Sequence, residues 1–184
     1  MTGRAGPPAR LTALALAGAL GLAACGSIDP EAGPTATAGR SAAPPAVGPA
    51  SDAARAALFD AFGEARLIVA ESPTPYRPAE AAALAVAPRT VYQVTLPAEP
   101  SSAFVVVYEL PSEAAAVAAA KEQHAYLVSG PGKVQAPLGT DHVLQQLGST
   151  VLYYQWLPAA AVDPSTPRVA EALRRIGTNF EVRD

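Results

Sequence analysis

The chain is poor in the residues that most often identify a chemistry. It has one cysteine, two histidines and two lysines among 184 residues. One cysteine excludes an intrachain disulfide framework and a thiolate zinc site. Two lysines with eleven arginines, at net charge −3, exclude a polybasic nucleic-acid footprint. Aromatic residues make up only 6%, with a single tryptophan. The hydrophobic share is 50%, but 43 of those residues are alanine, whose methyl group buries little area. Larger apolar side chains must therefore specify any core. The length allows at most one or two ordinary domains.

What is present begins with an address. Residues 1–24 carry Arg4 and Arg10 and no acid. The 14 residues 11–24 are mostly leucine and alanine. That is too short for the roughly 20 residues of a membrane span. It fits the apolar core of a signal peptide, about 7–15 residues. The run ends in Leu22-Ala23-Ala24-Cys25-Gly26. This motif resembles the lipobox of bacterial lipoproteins: a branched apolar residue, two small residues, then cysteine. The resemblance covers the first 26 residues and no more. It implies cleavage before Cys25, diacylglyceryl modification of the thiol, and a lipid anchor on the extracytoplasmic face of the membrane. Two acyl chains are the usual requirement for stable anchoring. The other reading is a secreted protein with a free thiol.

Residues 25–50 follow as a tether. From 26 to 50, 20 of 25 residues are Ala, Gly, Pro, Ser or Thr. Such a segment cannot bury enough apolar area to offset its ordering entropy. Residues 51–184 hold 28 alanines and 40 larger apolar residues, enough for one small domain. Its ten basic and fourteen acidic residues leave it mildly acidic.

Periodicity predicts a helix from Ser51 or Asp52, either serving as N-cap, fading near Val69. Pro73, Pro75 and Pro78 then break regular structure. Strands are predicted over 90–96, 103–110, 141–147 and 150–157. A helix over 112–128 buries Val117, Ala120, His124, Leu127 and Val128, and Gly130 stops it. A last helix starts at Thr166 and Pro167 and buries Val169, Ala172, Leu173 and Ile176. The segment 104–111 echoes 151–158, a short pseudo-repeat. The expected fold is α+β: a four-stranded antiparallel sheet with helices mainly on one face.

On that fold, Gln93, Thr95, Val105, Val107, Glu109, Tyr153 and Gln155 form the sheet's second face. Either it is an open binding face or dimer interface, or residues 67–89 cover it. Tyr153 is the expected exposed aromatic, and Trp156 the expected core one. His124 is expected in a core stripe. His142 follows Asp141, but neighbouring strand residues point to opposite faces, so the two pair poorly. No metal site and no cofactor are expected. Gly130-Pro131-Gly132-Lys133 lacks the remaining residues of a phosphate loop, and no Gly-x-Ser-x-Gly elbow occurs. The functional expectation is a membrane-anchored, non-enzymatic module that binds an envelope protein or a small ligand. Two alternatives stand beside it: an envelope hydrolase using His124 or His142, and a self-associating structural lipoprotein forming a homodimer.

Overall fold

A computed structural model describes residues 48–182. The signal, Cys25 and the greater part of the tether lie outside the described residues. Helix α1 is Pro49–Glu64, and the expected cap at Ser51 or Asp52 is displaced: Gly48 is the N-cap and Pro49 opens the first turn. The reason lies far away in sequence. The Glu109 carboxylate accepts from the Gly48 N–H at 3.3 Å and from the Ser51 hydroxyl at 2.7 Å. It supplies the acceptor that a capping side chain would otherwise provide. A Cβ on Gly48 would lie 2.2 Å from a Glu109 oxygen, so a larger residue there would displace the carboxylate from this approach.

The helix ends five residues earlier than its alanine pattern suggests. The Leu67 N–H reaches back to the Phe62 carbonyl at 2.8 Å and the Arg66 N–H to Gly63 at 2.9 Å. This is a Schellman stop, and it places Arg66 at φ 55°, where glycine is the usual residue.

Strand β1, Ile68–Glu71, follows. Then come α2 (Ala82–Val86), β2 (Arg89–Thr95), β3 (Ala103–Glu109), α3 (Glu113–Leu127) and α4 (Gly130–Gln135). They are followed by β4 (Asp141–Leu147), β5 (Thr150–Trp156), a 3-10 turn (Pro158–Ala160), α5 (Thr166–Leu173) and β6 (Thr178–Asn179). The fold is α+β with one antiparallel sheet, in the order β1-β2-β3-β5-β4-β6. It has six strands rather than four. The two additional strands are short edges: β1 runs directly from the α1 stop, and β6 has only two residues.

Helices lie on both faces, not mainly on one. Against Tyr92, Val94, Val105, Val107, Leu152 and Tyr154 pack α1 and α5. Against Val91, Val106, Tyr108, Leu144, Val151 and Tyr153 pack α2, α3 and the segment around Ala79. Register decides which residues share a face. Tyr92 stands opposite Val105, and Val105 opposite Tyr154. Phe104, Val106 and Tyr108 lie on the second face, with Tyr153.

The echo between 104–111 and 151–158 holds in the strands, where Val105 and Leu152 share a face. It stops there, because α3 and α5 pack on opposite sides. Helix α3 is also rotated from expectation: it buries Ala116, Ala119, Ala120, Gln123 and Leu127. Gln123 rather than His124 turns inward, because its amide accepts from the Ala81 N–H and donates to the Ala79 carbonyl, both at 2.7 Å. A buried amide satisfied twice costs little. Gly130 opens α4 instead of stopping α3, whose C-cap is Val128.

Arg66→Gly is expected to stabilise the domain by about 0.5–1 kcal/mol, because a left-handed C′ residue without a Cβ carries no steric cost. Chemical denaturation of the two chains checks this.

Candidate binding site

With both faces covered, the seven residues expected to share an open face are divided. Val105 and Val107 are 0% and 3% exposed beneath α1 and α5. Glu109 lies on that same side, engaged with the start of α1. Gln93, Thr95, Tyr153 and Gln155 are on the α3 side. Gln93 donates to the Pro100 carbonyl at 2.6 Å, and Thr95 is exposed near the β1 edge. Tyr153 is 0% exposed, so it is not the surface aromatic. Trp156 is only half-buried, stacked on Tyr154 at 5.3 Å with the Arg174 guanidinium above its ring. Cys25, Leu22, Ala23 and Ala24 lie outside the described residues.

Two of the seven do meet, together with His142. The buried Tyr153 hydroxyl donates to Gln155 Oε1 at 2.9 Å, and Gln155 Nε2 donates to the Tyr76 hydroxyl at 3.4 Å. His142 Nδ1 lies 2.8 Å from the same Tyr153 oxygen. Since the phenol proton is directed to Gln155, Nδ1 is the donor and carries the hydrogen. The result is a directed chain from His142 through Tyr153 and Gln155 to Tyr76. Burial pushes the Tyr153 and Tyr76 phenols above their ordinary values, so both stay protonated. Asp141 stands opposite Trp156 while His142 stands opposite Gln155, which puts the acid and the imidazole on different faces. His124 takes no part in this chain.

Each end of the chain lines a hollow. His142, with Leu127, Ala136, Pro137 and Leu138, lines one of about 170 Å³. Tyr76, with Glu71, Ser72, Thr74, Arg77, Arg89 and Thr90, lines one of about 350 Å³. The second is built on a rigid loop. Pro73, Pro75 and Pro78 fix φ, and the Ser72 hydroxyl accepts from the Thr74 N–H at 3.1 Å. Tyr76 stacks on Phe104 at 4.8 Å.

Its floor is an ion pair. The Arg89 guanidinium, 15% exposed, meets the Glu80 carboxylate, 5% exposed. Tyr108 donates to the same Glu80 oxygen at 2.6 Å, and Arg89 also donates to the Ala85 carbonyl at 3.2 Å. The Tyr108 ring lies under the guanidinium at 5.8 Å. Burial, then the bond to Glu80, raises the Tyr108 phenol well above its usual range. Arg77 is different. Its guanidinium is 68% exposed and reaches Glu80 at only 4.0 Å, a weak link in water. This basin was missed in the sequence because its prolines signalled only a break. The missed signal was the residues between them, Thr74, Tyr76 and Arg77.

Among the described residues, no group of three or more His, Cys, Asp or Glu side chains could hold a metal ion. No helix among them is long and apolar enough to cross a membrane. No family model, no curated protein and no solved structure matches the chain.

Arg89→Ala leaves the Glu80 carboxylate buried without its cation, and is expected to cost about 3 kcal/mol in urea unfolding. Combining Arg89→Leu with Glu80→Gln is expected to recover most of that loss, since both charges then leave the interior together and the Tyr108 hydroxyl keeps an acceptor.

Proposed function

We propose that this chain is an extracytoplasmic lipoprotein, held to the membrane through acylated Cys25, whose domain binds a small anionic solute without transforming it. The observation that carries the proposal is the Tyr76–Arg77–Arg89 basin. Its volume of about 350 Å³ falls within the range of about 300–1,000 Å³ common for small-ligand sites. Its walls are set in advance by prolines and by an anchored guanidinium, which lowers the ordering cost of binding. Arg77 supplies a cation at the mouth, where a carboxylate or phosphate displaces only its long approach to Glu80.

A hydrolase using His142 remains the alternative, and the bond from Nδ1 to Tyr153 is the observation in its favour.

Titrating the full chain in detergent with acetate, succinate and inorganic phosphate tests the binding. The expected result is saturable NMR shifts at the Arg77 and Arg89 Nε–H groups, with affinity at least ~10-fold weaker in Arg77→Ala. No shift with any of the three probes contradicts the proposal. The anchor is tested by Cys25→Ser, which is expected to lose acyl labelling and leave the membrane fraction; a labelled, membrane-held variant would refute it.

A further inference from the structure

The two edges of the sheet are unequal. β6, two residues long, offers little backbone to a partner and follows Gly177 at φ +62°. β1 is longer and more apolar. Ile68 is 70% exposed on one side of it, and on the other Phe59 of α1, 42% exposed, packs edge-on against Tyr92 at 6.1 Å.

The pairing phase shows which backbone groups this edge presents. The Ser72 N–H donates to the Val91 carbonyl at 2.8 Å, so residue 72 faces β2. Antiparallel ladders alternate, so Ala70 and Ile68 face β2 as well, opposite Gln93 and Thr95. Val69 and Glu71 then turn their N–H and C=O groups outward, and no hydrogen bond joins those groups to other described residues.

We propose that β1 pairs with β1 of a second copy of this chain, joining two six-stranded sheets edge to edge about a twofold axis. Twofold symmetry requires opposed residues to share a face, which restricts the register. With Ala70 opposite Ala70 of the second copy, Val69 of each copy exchanges both ladder bonds with Glu71 of the other. Every outward group of the two residues is then paired. Ile68 comes opposite Ser72, and Pro73 ends the ladder because it has no N–H.

The charges select the same partner. Arg66 lies at one end of the strand and Glu71 at the other, and Arg66 forms no ion pair with the described residues. In this register Arg66 falls opposite Thr74 of the second copy, three positions beyond its Glu71, so opposite charges share each end of the ladder, whereas a parallel copy would put like charges together. Only one edge is long enough to pair, so assembly closes at a dimer instead of running on as a fibre. Glu71 and Ser72 belong both to this ladder and to the lining of the Tyr76 hollow, and the pairing does not depend on the ligand proposed above.

A cysteine at position 70 tests it directly. Opposed residues of a non-hydrogen-bonded antiparallel pair have Cα atoms about 4.5 Å apart, within disulfide reach. The full chain carrying Ala70→Cys, expressed with its own leader and oxidised mildly in its membrane, is expected to give a cross-linked dimer. Wild type, which retains Cys25, sets the background, and Asn179→Cys on the far edge is expected to match that background. Adding Val69→Pro removes an outward N–H that β2 does not use, so the fold should persist while cross-linking falls at least ~10-fold. Cross-linking of Ala70→Cys no greater than Asn179→Cys would overturn the proposal, as it would if the edge held a strand of another protein. Cross-linking unaffected by Val69→Pro in a folded chain would overturn it too.

Discussion

The central pair of strands has no side facing water. In β3, Val105 and Val106 are fully buried and Val107 is 3% exposed; beside them in β5, Leu152 and Tyr153 are fully buried. Consecutive strand residues point to opposite faces. Three buried neighbours in a row therefore mean that both faces are covered. Antiparallel sheets commonly leave one face to solvent, but this one does not. Helices α1 and α5 cover one side and α2 and α3 the other, and this requirement shapes everything else in the fold.

It governs the polar groups first. A tyrosine, a glutamine and a carboxylate placed under helices need partners, because an unpaired buried group costs about 1–3 kcal/mol. Gln123 and Glu80 find theirs on elements distant in sequence, and Tyr153 finds its partner on the neighbouring strand β4. Those bonds bring the segment 76–81 onto the α3 face, which the three prolines alone would not do. The same constraint moves function away from the faces. What remains accessible is the ends of the strands, where the Tyr76 and His142 hollows lie, and the β1 edge. Binding at such places uses a rigid frame below and loops above, the usual division of labour between scaffold and site.

Much of this was legible in the sequence. The strands expected over 90–96, 103–110, 141–147 and 150–157 are β2, β3, β4 and β5. The last helix and its stripe through Val169 and Ile176 were equally clear. Faces were harder. In β3 every residue from Ala103 to Tyr108 is apolar, so alternation carries no signal and size is a poor guide. Only pairing with β2 and β5 settles parity, and pairing is a long-range property. The cap on α1 was invisible for the same reason, since Glu109 is 58 residues from Ser51. On α3, an alanine-rich helix gives a weak stripe, so one buried glutamine was enough to turn it. The basin escaped because proline reports where regular structure ends and not what the loop then builds.

Adjacent residues of opposite parity test the central constraint most directly. Val106→Asp places a charge under α3, and Val107→Asp places one under α1. The account predicts that each substitution alone unfolds the domain or removes more than about 4 kcal/mol of stability, as measured by far-UV circular dichroism through a urea titration. If either variant melts like wild type, one face of the sheet is open to water and the covered-sheet account is wrong.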